Sequence, residues 1–369
     1  MRIAINALGL GRRRNGIVTS TCGIIQILRL LGHQVIIYGN SELLPSGIGV
    51  DTSRTPPFFG FGNGSVTALL RLIWSHIVIP LNLIRDRINL LISPTVEGLL
   101  WCPCPQIVVV HDIIPFLFRK EAPTHAIYYR CVLPAILRCS TRIVAVSEHT
   151  RTDLLREYRL SPDKVDVVYN AVHRSMDQTS SDKKPAALAV DRYFLYVGCF
   201  APRKNLETVA LAFAKVHSRV AESLVLVGYP DKWFPGILML IDKLHLSHRF
   251  IVLSGLTESE ISYLYRNASA LFLLSEYEGF GYPLLEAMVA GTPAVVSETT
   301  ALGEVAGKGA LLLKPHDVDA AAMAMLRLST DQEYRSRLGA AGAERAQNFA
   351  WSQSQKQWDH VLSACLSPP

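Results

Sequence analysis

The chain writes one alternation twice. In its first half, residues 2–6, 34–38, 90–93, 107–110 and 142–146 are short runs that are apolar at nearly every position. They are separated by helical patterns at 18–31, 66–84 and 125–137. A strand with one wet face alternates polar and apolar residues, whereas one apolar throughout is covered by helices on both faces, as in a parallel sheet. The stretch 171–191 has no apolar period and reads as a linker. Beyond it the pattern returns, with strands at 193–197, 223–227, 250–254, 270–274 and 294–297. Helices read at 205–217, 235–244, 258–267, 283–290, 318–329 and 331–347. The expected class is α/β, two Rossmann-like doubly wound parallel-sheet domains in series. At 369 residues, 49% of them hydrophobic, the chain fills two cores of ordinary size.

Chemistry concentrates at residues 275–293, SEYEGFGYPLLEAMVAGTP. Glu278 and Glu286 flank the turn Gly279-Phe280-Gly281 and the helix start Pro283-Leu284-Leu285. One acid then sits at a helix mouth and the other about two turns inside. Amides of a first helical turn lack intrahelical partners and carry the positive end of the dipole, which suits phosphate. The carboxylates accept hydrogen bonds from hydroxyls on either side. A ligand with sugar, diphosphate and ribose in a row matches all three features. As a bare pattern, the two glutamates serve equally well as solvated surface.

Three further segments bear on the same question. Arg203-Lys204-Asn205 follows a strand and opens a helix. Arginine forks onto phosphate oxygens and lysine adds a compact charge, although a solvated loop is the plainer alternative. His111-Asp112 ends the strand 107–110, where ligands bind in such sheets. The imidazole gives or takes a hydrogen bond near neutral pH, or Asp112 simply closes the turn before Pro115. In Gly9-Leu-Gly11-Arg-Arg-Arg-Asn-Gly16 a dinucleotide fingerprint fails, because its third glycine falls on Arg14. That disfavours a nicotinamide dehydrogenase. Asp317-Val-Asp319 has the spacing of a metal-holding pair but opens an Ala-rich helix, so Asp317 reads as an N-cap. No metal is expected.

Glu278-Gly-Phe-Gly-x-Pro-x-x-Glu286, followed by Ala-Gly-Thr-Pro293, resembles the signature of family 4 glycosyltransferases, retaining enzymes of the two-domain GT-B fold. The string Val-Val-Val-His111-Asp-Ile-Ile-Pro resembles bacterial mannosyltransferase-like members. The resemblance implies an acceptor-side domain at 1–175 with a crossover helix at 351–366, a nucleotide-sugar domain at 190–350, and a central cleft between them. It implies that Arg203 and Lys204 grip the donor's diphosphate, that Glu278 meets the donor sugar and Glu286 the ribose, and that His111 lies beside that sugar. Gly16 then lies over the phosphate, while Arg12–Arg14 read equally as acceptor clamp or solvated face. The chain departs from the pattern at Cys199, where many members carry arginine, and at Asn170-Ala-Val-His173, where Asn-Gly-Val-Asp is usual. The implied reaction moves a hexose, best matched as mannose from GDP-mannose, to a hydroxyl of a glycan or lipid-linked acceptor. A UDP-sugar transferase and a GT-B epimerase are the alternatives. No cofactor beyond the donor is implied, and no nucleic acid partner.

The seven cysteines are scattered, with Cys102 and Cys104 the only close pair, which fits a reducing cytoplasm. The start Met-Arg-Ile-Ala-Ile reads as a strand rather than a leader. Lys and Arg outnumber Asp and Glu 19 to 12 in residues 1–178 and stand at 18 to 19 in the rest. This is ordinary variation or attraction of the first half to an anionic lipid surface or acidic acceptor. The helix at 66–84 is too polar to span a bilayer and reads as buried or as resting at the inner face of a membrane.

Overall fold

The structure, a computed structural model, describes residues 1–10, 15–39, 51–53, 65–171 and 182–366; for 51–53, 65–72 and 366 it describes the backbone alone. Arg12–Arg14 and the linker residues 172–181, His173 among them, lie outside the described residues. The chain divides into two units, Met1–Ala171 with Trp351–Pro369, and Val172–Ala350.

The first unit runs β1 (Arg2–Ala7), α1 (Gly16–Leu30), β2 (Gln34–Gly39), β3 (Asp51–Ser53), α2 (Ser65–Arg85), β4 (Leu90–Ser93) and β5 (Gln106–Val110). It continues through α3 (Ile114–Leu117), α4 (Pro123–Cys131), α5 (Leu133–Cys139), β6 (Arg142–Ala145), α6 (Glu148–Tyr158) and β7 (Val165–Val167). The strands form one seven-stranded sheet in the order β3-β2-β1-β4-β5-β6-β7, every pairing parallel. All five residues of β5 are buried, as expected of a central strand covered on both faces.

Local chemistry sets the helix ends. The Asn15 side chain accepts from the Val18 amide and starts α1, and Ser147 does the same for Thr150 in α6. The single helix expected over 125–137 is two helices that meet at Val132. Pro134 brings no N–H and disfavours helical geometry in the residue before it, so the chain restarts there.

The second unit runs β8 (Tyr193–Val197), α7 (Leu206–Val216), β9 (Ser223–Val227), α8 (Phe234–Lys243), β10 (Phe250–Leu253), α9 (Glu258–Asn267) and β11 (Ala270–Leu273). It then runs α10 (Tyr282–Val289), β12 (Ala294–Ser297), α11 (Thr300–Ala306), β13 (Leu311–Leu313), α12 (Val318–Thr330) and α13 (Gln332–Ala346). Its six strands, all parallel, lie in the order β10-β9-β8-β11-β12-β13. A capping box between Thr257 and Glu260 opens α9. The last helix, α14 (Trp351–Leu366), belongs to the first unit. Its Trp351 ring lies over Gly23 of α1 and leaves no room there for a Cβ.

Candidate active site

In the second unit the chain leaves β8, makes one 3-10 turn at Pro202–Lys204, and places Asn205 in the left-handed region at φ 51° before α7 begins. The Asn205 amide holds that turn. It donates to the carbonyls of Leu274 and Pro315 and accepts from the Thr208 hydroxyl at 2.8 Å. The Glu276 N–H donates to the Arg203 carbonyl at 2.7 Å, which ties the loop after β8 to the loop after β11. Both loops lie at the carboxyl ends of adjacent parallel strands, where doubly wound sheets bind ligands.

Across that junction the Lys204 ammonium meets the Glu278 carboxylate at 2.5 Å, each side chain only 12% exposed. The Ser275 hydroxyl donates to the same carboxylate oxygen at 2.8 Å. Burial pushes the Glu278 carboxyl up, but the charge and hydrogen bond of Lys204, with Arg203 and Ser275, more than offset it. Glu278 is therefore held ionised, below its ordinary value.

Gly281 caps α10 at φ 101°, where a side chain is strained. A Cβ at that position would come within 2.5 Å of Leu302 Cδ2. The expectation that the stretch through Leu285 offers free amides needs correcting. Pro283 has no N–H, and the amides of Leu284 and Leu285 both donate to the Gly281 carbonyl, at 3.0 and 3.2 Å. The side chains of Leu284 and Leu285 are buried in the core, and the Phe280 ring packs against Tyr282 and Phe349. The Leu284 and Leu285 amides are thus engaged within the helix itself.

Glu286 lies just over one turn into α10 rather than the two turns expected, and it accepts from the Tyr265 hydroxyl at 2.7 Å. Burial, then the Glu286 charge, pushes the Tyr265 phenol well up, so it stays a donor. Asp317 accepts from the Ala320 amide and Asp319 pairs with Lys215. Both acids are engaged as a cap and an ion pair.

In the first unit, His111 follows β5, and its Nε2 lies 3.0 Å from the Pro94 carbonyl. A carbonyl only accepts, so Nε2 carries the proton and Nδ1 of the neutral ring is an acceptor. Burial lowers this imidazole to about 4, against a smaller upward pull from the Pro94 hydrogen bond. Asp112 accepts from the Ile114 amide at 2.9 Å and closes the turn. Gly16 is the first residue of α1, directly after its Asn15 cap.

The structure therefore brings Arg203, Lys204, Glu278 and Gly281 onto neighbouring loops of one unit and Glu286 into the helix α10 that follows, with Gly16 and His111 in the other. Sequence reasoning did not assign roles to Asn205, Ser275 or Tyr265. Asn205 stood only as a member of a basic string, and nothing in the sequence marks the left-handed residue that aims Lys204.

A family model described as "Glycosyltransferase Family 4" matches residues 14–175, and one described as "Glycosyl transferases group 1" matches 177–345. The O-antigen chain mannosyltransferase B of Escherichia coli is 29% identical over 260 residues, 68% of this chain and 68% of that protein. The O-antigen chain mannosyltransferase RfbU of Salmonella typhimurium is 30% identical over 212 residues, 58% of this chain and 57% of its own length. Sucrose-phosphate synthase from Thermosynechococcus elongatus superposes with a TM-score of 0.78 at 18% identity, over 98% of both chains, a likeness of fold.

Proposed function

On the premise that this chain belongs to the family 4 glycosyltransferases of GT-B fold and is bacterial mannosyltransferase-like, we propose that it moves mannose from GDP-mannose to a hydroxyl of a glycan or lipid-linked acceptor, with the anomeric configuration retained. The buried Lys204–Glu278 pair at the mouth of α10 carries this reading. Its cation suits a diphosphate and its anion a sugar hydroxyl, side by side. Relatives named as mannosyltransferases support mannose as the sugar.

In the proposed reaction the bond from C1 of the sugar to the diphosphate breaks and a bond from C1 to the acceptor oxygen forms. Negative charge grows on the leaving diphosphate, where Lys204, Arg203 and the α10 mouth stabilise it. The leaving phosphate takes the acceptor proton on the same face. With two cations and a helix dipole aimed at the diphosphate, the reaction needs no metal. His111 Nδ1 accepts from a donor hydroxyl and so orients the sugar.

Thermal shifts with GDP-mannose, UDP-glucose and UDP-N-acetylglucosamine test the donor, since a ligand that binds only the folded state raises the melting temperature. GDP-mannose is expected to give the largest shift. A larger shift with a UDP-sugar overturns the base and sugar assigned here, and epimerised product from donor alone overturns the transfer itself.

A further inference from the structure

Residues 101–106 read Trp-Cys-Pro-Cys-Pro-Gln and close the connection from β4 to β5. One side chain clamps the base of this tip. Gln106 Oε1 accepts from the Leu99 amide at 2.7 Å, and Gln106 Nε2 donates to the Leu99 carbonyl at 3.0 Å. Cys102 and Cys104 each precede a proline, which disfavours helical geometry at both, and Pro103 fixes φ between them. A stiff segment on a clamped base thus holds the two sulfurs 3.8 Å apart, sharing a hydrogen bond. Both side chains are half-buried against the apolar cluster that contains Ile36, Leu91 and Leu99, while Trp101 and Pro103 beside them are exposed. A small solute can therefore reach the pair. The proposed transfer uses neither thiol.

We propose that Cys102 and Cys104 are a reversible oxidation site, a dithiol that hydrogen peroxide closes to an intrachain disulfide. Cys102 attacks and Cys104 resolves. Hydrogen bonding by Cys104, from its thiol and then from its main chain, lowers the Cys102 thiol against the opposing pull of burial. The same shared bond, and then burial, pushes the Cys104 thiol up. The thiolate is the nucleophile, so the first step falls to Cys102. Its sulfur breaks the O–O bond and keeps one oxygen as a sulfenic acid; the other leaves as hydroxide and takes up the proton that Cys102 gave up. The Cys104 sulfur then attacks the sulfenic sulfur, the S–O bond breaks, and that oxygen leaves as water with the Cys104 proton. The two thiols lose two electrons and the peroxide, reduced to two waters, gains them. Joining the sulfurs brings them from 3.8 Å to about 2.05 Å. The clamp between Leu99 and Gln106 confines that movement to residues 100–105. This site goes beyond the transfer reading and does not depend on it.

The test treats the full chain with a small excess of hydrogen peroxide, blocks the remaining thiols with iodoacetamide and maps the peptides by mass spectrometry. The wild type is expected to yield a peptide bridged between Cys102 and Cys104, lighter by two hydrogen atoms, which dithiothreitol returns to two thiols. In Cys104→Ser the first step has no resolving sulfur, so Cys102 is expected to be trapped by dimedone as the sulfenic acid. With longer exposure it is expected to pass to sulfinic acid, which dithiothreitol does not reverse. In Cys102→Ser the remaining Cys104 is expected to oxidise at least about tenfold more slowly than Cys102 does in Cys104→Ser. Wild type that forms no bridge, or that bridges Cys104 to the buried Cys365 whose sulfur also bears on it, overturns the proposal. So does wild-type Cys102 that reaches sulfinic acid while Cys104 stays reduced, and so do equal rates in the two variants.

Discussion

The Lys204 ammonium and the Glu278 carboxylate are each other's counter-ion, 2.5 Å apart on two loops that follow adjacent parallel strands. Removing one partner of such a pair leaves a buried charge without compensation, at a cost of about 3–5 kcal/mol, whereas neutralising both is far cheaper. Lys204→Ala is therefore expected to lower the melting temperature and to lower kcat/KM by a factor of about 100–1,000, the loss of one stabiliser of developing charge. The double variant Lys204→Met, Glu278→Gln is expected to recover the melting temperature but not the turnover. Calorimetry and steady-state kinetics on the two proteins separate these effects. Near-normal transfer by the double variant would remove the pair from the chemistry.

Gly281 holds the first helical turn of α10 at the mouth of the site. Its φ of 101° and the 2.5 Å that would separate an added methyl from Leu302 are independent obstacles to any side chain. Gly281→Ala is expected to cost about 1–3 kcal/mol from backbone strain and about as much again from overpacking. Adding Leu302→Ala relieves the second part and not the first. If Gly281→Ala alone melts like wild type and binds donor unchanged, the turn is not constrained as described.

How much of this is legible in the sequence follows from the kind of signal each residue gives. The central strands stand out because burial on both faces writes a continuous apolar run, as in β5 and β9. The three-residue edge strands β3 and β7, DTS and VDV, write no such run, and the run LLL of β13 is too short to tell a strand from a helix segment. Helix α6 escapes notice because its surface sequence EHTRTDLLREY is mostly polar. At the site, Glu278, Lys204 and Gly281 can be named from motif and spacing. The Lys204–Glu278 contact cannot, because it joins residues 74 apart through a fold that periodicity alone does not specify. Nor can the use of the Leu284 and Leu285 amides inside the helix, which depends on the geometry at Gly281.

Asn205 is the residue that lets Lys204 reach Glu278, and its two contributions can be separated. Its left-handed backbone, φ 51°, is costly for most side chains by roughly 1–2 kcal/mol, and glycine avoids that cost. Its side-chain bonds to the Leu274 and Pro315 carbonyls are lost in either replacement, leaving buried acceptors unmet at about 1–3 kcal/mol. Asn205→Ala is thus expected to be less stable than Asn205→Gly, and both less stable than wild type, with a raised KM for donor. Equal stability of all three, measured by urea denaturation, would show that the turn is held by something else.

His111 supplies a pH signature that no exposed histidine would give. Its folded value, about 4, lies below the ordinary 6.5, with burial as the main cause. Above pH 6.5 neither the folded nor the unfolded chain protonates this ring, and His111 adds no slope. As pH falls from 6.5 toward 4, the unfolded chain takes up a proton that the folded chain refuses, so stability falls and then levels off below 4. The shift corresponds to about 3 kcal/mol. Carboxylates titrate in the same range, so the reading is the difference between wild type and His111→Gln, whose amide nitrogen reaches as far as Nε2 and still donates to the Pro94 carbonyl. That variant is expected to match wild type near neutral pH and to lose less stability by pH 4. Parallel stability curves for the two proteins would mean that the imidazole is solvated and that burial does not hold it neutral.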